Sequence, residues 1–519
     1  MLPTFRNEPF TDFSKPENEA AFRAALDQAR AEAGRTYPLI IGGEQLTLQD
    51  TFASINPARP AEAIGHFANG TAAHVDQAVK AATAAFQTWQ FTPVEERVRY
   101  LLRAAAAMRR RRHEFSALMV LEVGKSWYEA DLDTSEAIDF MEYYARQLLR
   151  VQDSSHLLYP YQGEQMTFEY IALGVGAVIS PWNFPNAIAM GMVSASLAAG
   201  NTVVFKPAEQ SPAIGYKLCE LFWEQGIPDG VLNYLTGPGE VVGAAMVDHP
   251  GTRFIAFTGS KDVGIQIYEH AAKVHKGQRW LKRSILEMGG KDPVVVDETA
   301  GIEEAAQGIV AGAFTFQGQK CSCGSRAIMV NDLYDRVTNR VVELASKLTV
   351  GDPSEGPHIY MGPVIDQDSF NKVNYYMEVG TQEGKLLLGG QPIKTDSGGY
   401  FIPPTIFGDV PANGRVAMEE IFGPVLTLVR TDNWQRGIEI ANSTEYGLTG
   451  AFFSNNRDRV EYARRTFHVG NLYINRKCTG AFVGVQPFGG FNMSGTDTKA
   501  GGPDYLYQFM QAKTIAERL

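Results

Sequence analysis

The sequence predicts an α/β protein made of two lobes, each built around a parallel sheet. Short runs rich in β-branched and aromatic residues alternate with longer stretches whose apolar residues recur every three or four positions. The first series of short runs covers residues 176–181, 201–207, 231–237 and 253–260. The second series starts near Ile285 and includes residues 293–297, 326–330, 426–432 and 470–476. Because strand–helix alternation is typical of βαβ units, each series predicts one parallel sheet, and we expect the lobes to meet near residue 286.

Three further segments lie outside this alternation. Residues 1–37 are polar and alanine-rich, with a helical period from Glu17 to Glu32, and are interpreted as an appended arm. Helices are predicted at about 73–90 and 94–122, and the arginine run 109–112 in the second is interpreted as a solvated helix face. Residues 154–171 form two extended runs around a Gln162-Gly163 turn, which predicts a projecting hairpin. Such a hairpin has open edges, so we expect a partner subunit to cover it.

Length and composition narrow the class of protein. The 519 residues correspond to about three domains of typical size, and 45% hydrophobic with 20% charged residues is typical of a globular chain. The net charge of -11 argues against a nucleic-acid binder, because phosphate binding favours a basic surface. We expect no signal peptide and no membrane span, since neither pattern occurs. The 4 cysteines are too few for a disulfide framework, which favours a reducing, cytoplasmic setting.

Three signals at the ends of predicted strands together indicate a dinucleotide site. Gly239 and Gly243 lie where a strand gives way to a helix, although a turn of this kind is more often only a turn. Residues 257–260 (FTGS) lie in a second such turn, and the amides at a helix N-terminus can hold a pyrophosphate. Residues 206–209 (KPAE) follow a third strand and offer a carboxylate for the ribose hydroxyls.

The second candidate site is the cysteine segment 318–324 (GQKCSCG). Cys321 follows a glycine-containing turn and is a candidate nucleophile, although buried small residues are the commoner role of cysteine. A zinc site lacks ligands at metal spacing, and no histidine stands where a Cys-His hydrolase would need one. A reactive thiolate needs a lowered pKa, to which we expect Lys320 and the local turn to contribute.

Two other polar residues have side chains that could act in catalysis together with Cys321. Asn183, in the segment PWNFP at a strand end, can donate its amide to an oxyanion. Glu287, in LEMGGK at the lobe boundary, is placed to act as a general base. The segment EEIFGP (419–424) adds another acid and an aromatic ring in the second lobe. Taken alone, an isolated glutamate is most often a surface residue.

Seven of these segments, in this order, resemble the aldehyde dehydrogenase superfamily: PWNFP, KPAE, FTGS, LEMGGK, GQKC, EEIFGPV and PFGG (487–490). The resemblance covers about residues 38–519. It implies an α/β fold with a Rossmann-type NAD-binding domain, an α/β catalytic domain and a β-hairpin oligomerisation element. The implied division is an arm (1–37), an NAD-binding domain (38–150 and 172–285), an oligomerisation hairpin with a C-terminal strand (151–171 and 491–519) and a catalytic domain (286–490).

The same resemblance implies roles for individual residues, and no metal. The catalytic residues would be Cys321 as nucleophile, Asn183 as oxyanion donor and Glu287 as general base. The residues in contact with NAD would be Ile179, Ser180, Trp182, Lys206, Glu209, Gly239, Gly243, Thr258, Gly259, Ser260, Val263, Met288, Glu420 and Phe422. The residues in contact with substrate would be Glu136, Phe184, Ser322, Gly480, Ala481 and Phe488.

Within the superfamily the chain is most similar to the 1-pyrroline-5-carboxylate dehydrogenase branch, which oxidises L-glutamate γ-semialdehyde in proline catabolism. The N-terminal arm, the segment FQGQKCS (316–322) and the loop KCTGA (477–481) carry this likeness. Cys323-Gly324 departs from the branch, which more often has small alanines or serines there, and raises a question of redox sensitivity. The resemblance also implies a homo-oligomer, a dimer or a multimer of dimers.

Other functions remain open at this point. A dehydrogenase of another small semialdehyde, such as succinate semialdehyde, is the main alternative. A CoA-acylating relative is disfavoured by Glu287, since a hydrolytic base serves water. A non-catalytic scaffold is disfavoured by the presence of Asn183, Glu287 and Cys321 together.

Overall fold

The computed structural model describes residues 2–152 and 154–519, and helices alternate with strands along most of the chain. Met1 and Asp153, which fall in the predicted arm and the predicted hairpin, lie outside the described residues. The helices are α1 (Pro16–Glu32), α2 (Ala72–Trp89), α3 (Val94–Arg110), α4 (Arg112–Val123), α5 (Trp127–Val151), α6 (Ala187–Ala198), α7 (Pro212–Glu224), α8 (Ala244–Asp248), α9 (Lys261–Ala272), α10 (Ile302–Phe314), α11 (Asn331–Ala345), α12 (Gln367–Glu383), α13 (Arg415–Met418), α14 (Trp434–Ala441) and α15 (Arg457–Thr466). The strands are β1 (Arg35–Tyr37), β2 (Leu39–Ile41), β3 (Glu44–Leu46), β4 (Thr51–Asn56), β5 (Arg59–Ala68), β6 (Glu164–Ala172), β7 (Val175–Ile179), β8 (Thr202–Lys206), β9 (Leu232–Tyr234), β10 (Phe254–Thr258), β11 (Arg283–Glu287), β12 (Pro293–Val296), β13 (Arg326–Val330), β14 (Lys385–Leu388), β15 (Thr405–Gly408), β16 (Val425–Thr431), β17 (Tyr446–Gly447), β18 (Thr449–Phe453), β19 (Asn471–Ile474), β20 (Phe491–Asn492) and β21 (Met510–Arg518).

The first large sheet has the strand order β11-β10-β7-β8-β9-β2-β3 and is parallel from β11 to β9. The chain runs outward from β7 through β8 and β9, and then returns to place β10 on the other side of β7. A crevice forms at the carboxyl ends of parallel strands where the order reverses in this way. Residues 181–185 follow β7 and residues 259–260 follow β10, so both predicted turns lie at this crevice.

The second large sheet has the order β14-β15-β16-β13-β12-β18-β19 and is parallel except for the β14–β15 pair. The α/β fold class and the two sheets are confirmed. One boundary is wrong: the strand expected to start the second series near Ile285 is β11, which pairs with β10 in the first sheet. Strand pairing joins residues distant in sequence, and the run of residues 283–287 alone does not indicate its partner.

Each large sheet is covered by helices on both faces. Successive side chains of a strand point to opposite faces, so Val294 and Val296 pack with α10 and α11 in one core cluster while Val295 packs with α12 and α14 in another. The first sheet is sandwiched likewise, between a cluster containing α3 to α7 and a cluster containing α2, α8 and α9. This double covering explains why the central strands are apolar along their whole length.

The predicted helix 94–122 is two helices, α3 and α4, which meet at Arg111, where the backbone has φ -106° and ψ 17°. The arginine run at this corner is not simply a solvated face, and that interpretation is wrong. Arg109 Nε lies 2.8 Å from Glu8 Oε2, and Arg112 lies 3.0 Å from Asp131 Oδ1. The run therefore binds the N-terminal arm and helix α5.

The prediction that the two extended runs of residues 154–171 pair with each other as a hairpin is also wrong. Its second run is β6, which pairs over its whole length with the C-terminal strand β21 in an antiparallel ribbon. The first run contains Pro160, which has no N–H to donate to a strand ladder, and residues 158–161 make only the single bridge of Tyr161 with Glu164. Among the described residues, no helix is long and apolar enough to cross a membrane.

Candidate active site

Cys321 lies in a turn that follows helix α10. The chain passes through a 3-10 turn at Thr315–Gly318, in which Phe316 and Gln317 have φ of 50° and 56°. Non-glycine residues in this left-handed region carry backbone strain, and they persist only where the surroundings hold them. Gly318 follows with φ 69°, which a glycine adopts without cost.

Two glutamine side chains hold this strained turn in place. Gln317 Nε2 donates to the carbonyls of Gly124 (3.0 Å) and Pro363 (2.8 Å). Gln319 Oε1 accepts a hydrogen bond from the backbone N–H of Ile365 (2.9 Å). Side chains of the segment FQGQKC therefore hold this turn by hydrogen bonds to both lobes, which fixes the position of Cys321.

The surroundings of the Cys321 thiol disfavour the thiolate. Burial raises the pKa of Cys321 well above its usual value, the nearby Glu287 carboxyl raises it further, and the backbone amide of Ser322 acts in the opposite direction. The expectation that Lys320 lowers the pKa of the Cys321 thiol is wrong, because the Lys320 ammonium group lies 2.7 Å from Glu129 Oε2.

Cys323 is a buried residue rather than a second nucleophile. Its Sγ donates to the carbonyl of Ala313 (3.2 Å), and burial raises its pKa to about 12. A protonated thiol of this kind is a poor nucleophile and reacts slowly with oxidants.

Asn183 and Glu287 are the other two predicted catalytic residues. Asn183 Nδ2 donates to the carbonyl of Gln319 (3.1 Å), which holds the amide beside the turn that carries Cys321. A primary amide has two N–H groups, so one remains for a ligand. Glu287 ends β11, and within the described part of the chain its Oε1 has no hydrogen-bond partner.

Lys499 is a charged neighbour of Glu287 that sequence analysis missed. Burial raises the pKa of Glu287 to about 8, and the positive charge of Lys499 limits the rise. The Lys499 ammonium group is held in place by the Gly470 carbonyl (2.7 Å) and Asn471 Oδ1 (3.0 Å). No spacing or motif around Lys499 indicated this contact, because it depends on three segments that are distant in sequence.

Two cavities meet at Cys321. The first, which we call the Asn183 cavity, is lined by Trp182, Asn183, Thr258, Gly259, Ser260, Met288, Glu420, Phe422 and Cys321. The second, which we call the Glu287 cavity, is lined by Glu136, Thr258, Glu287, Phe488 and Cys321. The structure thus brings together predicted residues from both lobes around one sulfur atom.

A separate groove lies along the first sheet between α8 and α9. It has a volume of about 340 Å³ and is lined by Ile179, Glu209, Gly239, Gly243 and Val263. Lys206 is buried beneath it, with its Nζ 3.2 Å from Glu209 Oε1. Ser180 is buried at the end of β7, where its backbone N–H donates to the Lys206 carbonyl (3.2 Å).

The second lobe contributes Glu420 and Phe422. Glu420 Oε1 accepts a hydrogen bond from the Gly290 N–H (2.9 Å), and burial raises the pKa of its carboxyl. Phe422 has φ 61° and meets Trp182 edge to face, with ring centroids 5.5 Å apart. The side of Phe422 that meets Trp182 belongs to the lining of the Asn183 cavity.

The predicted carboxylate-binding residues gather next to the nucleophile. Ser322 Oγ lies 2.7 Å from Thr479 Oγ1, so the loop that carries Gly480 and Ala481 begins beside Cys321. Gly480 has φ 83°, a conformation that glycine adopts and other residues rarely do. Arg476 donates to the Gly480 carbonyl (3.0 Å), which fixes the direction of that peptide.

Buried charged residues lie close to the predicted substrate residues Glu136 and Phe184. Burial raises the pKa of Glu136 to about 8. Phe184 lies over Lys125, whose Nζ is 3.7 Å from the ring centroid and 3.0 Å from Asp133 Oδ2. Lys125, Asp133 and Glu129 were not predicted. Their signal was present in residues 125–136, where charged residues recur within a helix that is otherwise apolar enough to be buried.

A family model for the aldehyde dehydrogenase family matches residues 45–515. The chain belongs to the aldehyde dehydrogenase family. The resemblance drawn from the seven segments is therefore confirmed.

Individual relatives are similar over the full length. The chain is 57% identical over 517 residues to the 1-pyrroline-5-carboxylate dehydrogenase of Geobacillus thermodenitrificans, covering 100% of both. It superimposes on the Thermus 1-pyrroline-5-carboxylate dehydrogenase with bound NAD at a TM-score of 0.98 and 50% identity, covering 100% of both chains. It also matches proline utilization A from Bdellovibrio bacteriovorus at a TM-score of 0.96 and 43% identity, covering 99% of this chain and 53% of that one.

Proposed function

We propose that the protein oxidises L-glutamate γ-semialdehyde, which is in equilibrium with 1-pyrroline-5-carboxylate, to L-glutamate in proline catabolism, with NAD as the electron acceptor. The observation that carries the proposal is the position of Cys321, which lines two cavities at once. One cavity holds Glu136 and Glu287, and the other holds Asn183 and Glu420. An aldehyde bound to the sulfur would therefore lie between an amino acid site and a nicotinamide site.

The chemistry begins when the Cys321 thiol gives up its proton to solvent and its sulfur attacks the aldehyde carbon, whose C=O π electrons move onto the oxygen. Asn183 and the Cys321 backbone amide would hold the oxyanion of the thiohemiacetal, each donor contributing roughly 3 kcal/mol to lowering the barrier. When bound, NAD supplies the two-electron acceptor that converts the thiohemiacetal to a thioester. Glu287 then takes a proton from water, which attacks the thioester and releases L-glutamate and the free thiol.

Residues of the groove fit NAD. Glu209 presents a carboxylate where an adenine ribose would offer its hydroxyls, and Gly239 and Gly243 leave space beside it. Lys206 pairs with Glu209, so its positive charge is partly offset where a 2′-phosphate would lie. These contacts support a preference for NAD over NADP. Ser180, Ile179 and Val263 would complete the adenosine end.

Six residues would recognise the substrate. Backbone amides of Gly480 and Ala481, with the Ser322 hydroxyl, would bind the α-carboxylate. Glu136 would pair with the α-ammonium group. Phe184 and Phe488 would enclose the aliphatic chain. This arrangement explains why an amino acid head group should matter to catalysis, because remote binding energy can hold the aldehyde in position for attack.

We also propose that the chain works as a homo-oligomer in the cytoplasm. In the β6–β21 ribbon most β21 side chains are exposed and most β6 side chains are half-buried, and an isolated two-stranded ribbon is marginally stable in water. A second copy covering this ribbon would remove its open edges. The free thiols suit a reducing compartment. In functional terms we assign residues 38–150 and 172–287 to the NAD-binding domain, because β11 pairs with β10 in the first sheet. Residues 288–490 are then the catalytic domain, with arm 1–37 and oligomerisation segments 151–171 and 491–519.

The test compares two semialdehydes. We expect kcat/KM for L-glutamate γ-semialdehyde to exceed that for succinate semialdehyde by at least about 100-fold, since the second lacks the ammonium group that Glu136 would bind and loses a charge-assisted contact. A higher kcat/KM for succinate semialdehyde would favour the alternative function. Release of an acyl-CoA when CoA is added would instead indicate an acyl-transfer enzyme.

A further inference from the structure

The N-terminal arm touches both elements to which the proposed function assigns substrate recognition. One is helix α5, which carries Glu136. The other is the loop of residues 479–486, which we call the anchor loop and which carries Gly480 and Ala481. Asn7 joins them: its Nδ2 donates to Asp139 Oδ2 on α5 (2.8 Å) and to the Val483 carbonyl in the anchor loop (3.0 Å). Asp139 lies one helical turn beyond Glu136.

The chemistry of these groups leaves one orientation for the Asn7 amide. The Val483 carbonyl only accepts hydrogen bonds, and so does the Asp139 carboxylate. The amide NH₂ group carries two hydrogens, enough to serve both acceptors at once. Asp139 is held on its other oxygen by the backbone N–H of Glu8 (2.7 Å). A single side chain therefore ties the helix to the loop.

Aromatic contacts reinforce this tie. Phe10 stacks on Phe482 of the anchor loop, with ring centroids 5.9 Å apart and an interplanar angle of 27°. Phe5 packs edge to face against Tyr143 of α5 at 5.3 Å. At Gly484 of the anchor loop, a Cβ atom would lie only 2.9 Å from the Tyr143 ring. The arm, the helix and the loop are thus in close contact.

The arm is itself fastened to the body of the protein. Arg109 Nε lies 2.8 Å from Glu8 Oε2, and Arg112 donates to the Pro9 carbonyl (3.1 Å). Thr11 donates its backbone N–H to Asp131 Oδ2 on α5 (2.7 Å). These bonds give the segment between Phe5 and Phe10 a fixed position from which to hold the loop.

We propose that residues 5–10 of the arm are a positioning element for substrate specificity, which holds the anchor loop against α5 so that the carboxylate and ammonium sites keep a fixed separation. The inference rests on the proposed function. The carboxylate and ammonium groups of an amino acid are bonded to one carbon, so both can be bound at once only when the two sites have a matching separation, and a small displacement of one site loses much of the binding energy. An aldehyde without the amino acid head does not use this spacing.

The test is Asn7→Ala in the full-length protein, with Asn18→Ala as the matched control. Asn18 is another arm asparagine, and its Nδ2 binds the Asp12 carbonyl within the arm (2.9 Å). We expect Asn7→Ala to lower kcat/KM for L-glutamate γ-semialdehyde about tenfold, mainly through a higher KM, because two acceptors lose their donor. The kcat/KM for propionaldehyde should stay within about twofold of wild type, and Asn18→Ala should change neither value.

A second variant, Phe10→Ala, keeps the proposal testable if Asn7→Ala folds poorly. Phe10 is 49% exposed, so its loss endangers the fold little. We expect about a threefold loss for the amino acid substrate alone. Equal losses for both substrates, or no loss in either variant, would overturn the role of the arm. Wild-type protein that fails to oxidise L-glutamate γ-semialdehyde at all would instead overturn the proposed function, so the two failures can be told apart.

Discussion

Gly480 offers a sharp test of how the substrate head group is recognised. Its φ of 83° lies in the left-handed region, and a Cβ atom there would lie 3.4 Å from the Lys477 Cε atom. Space is therefore adequate, and the backbone conformation is the obstacle. A valine at this position either accepts the strain, at a cost of about 1–2 kcal/mol, or rotates the Gly480–Ala481 peptide out of place.

The expected loss of kcat/KM follows from the hydrogen bond that the substrate carboxylate would lose. Rotation would remove a backbone donor from the substrate carboxylate, and a hydrogen bond to a charged group contributes about 1.5–3 kcal/mol. This range corresponds to a loss of roughly 10- to 150-fold in kcat/KM for L-glutamate γ-semialdehyde. Simple aliphatic aldehydes do not contact these amides, so their kcat/KM should change little.

The assay is steady-state NADH formation with both substrates in wild type, Gly480→Val and Gly226→Val. Gly226 is a matched control because its φ is 79° and a Cβ atom there would meet nothing within 4 Å. It lies after α7, away from both cavities. An unchanged ratio of the two kcat/KM values in Gly480→Val would refute the assignment of the carboxylate site to this loop.

Further predictions concern the reacting groups and the cofactor. Cys321→Ala should abolish dehydrogenase activity, as followed by NADH absorbance, while NAD affinity measured by calorimetry stays within about twofold because the cofactor contacts lie mainly in the first lobe. Glu287→Gln should give one NADH per active site and then stall, as seen by rapid-mixing kinetics, because the thioester cannot be hydrolysed. In wild type, the rate of thioester hydrolysis should rise as pH increases through about 8, since burial raises the pKa of Glu287 to about 8 and only its carboxylate can take a proton from water. Glu209→Ala should narrow the preference for NAD over NADP by about tenfold in kcat/KM, because it removes the charge that repels a 2′-phosphate.

A specific result would contradict each of these four predictions. Turnover by Cys321→Ala would show that another residue is the nucleophile. A missing burst in Glu287→Gln, with hydride transfer itself lost, would mean that Glu287 activates the thiol. A pH profile that is flat between about 6 and 9 would show that Glu287 does not titrate in the rate-limiting step. An unchanged cofactor ratio in Glu209→Ala would place the ribose contact on another residue.

Local pattern was sufficient to predict much of the fold. The strands β8, β10, β12 and β13 are short apolar runs bounded by turn residues, which is the form of a strand buried on both faces. Strand β18 was not predicted, because its sequence TGAFF begins with a threonine and a glycine and does not follow a long helix. The partners of β11 and β6 could not be read from their own residues, because pairing is set by contacts between distant segments.

The candidate site was predictable where residues act through short motifs. The segments that carry Asn183, Glu287 and Cys321 each stand at the end of a strand or helix, and the topology then brings them together. Lys499 was missed because a lone lysine in an irregular loop has no pattern. The arginine run 109–112 was misread because its acidic partners, such as Glu8 and Asp131, are recognisable only in three dimensions.

The measurement that tests the central claim most directly is NADH formation by the purified wild-type protein given NAD and 1-pyrroline-5-carboxylate, with the product identified by mass spectrometry. The proposed function predicts one NADH and one L-glutamate for each substrate molecule consumed. It also predicts that alkylation of Cys321, mapped by peptide analysis, stops both together. No NADH from a preparation that binds NAD, or NADH without L-glutamate, would contradict the claim.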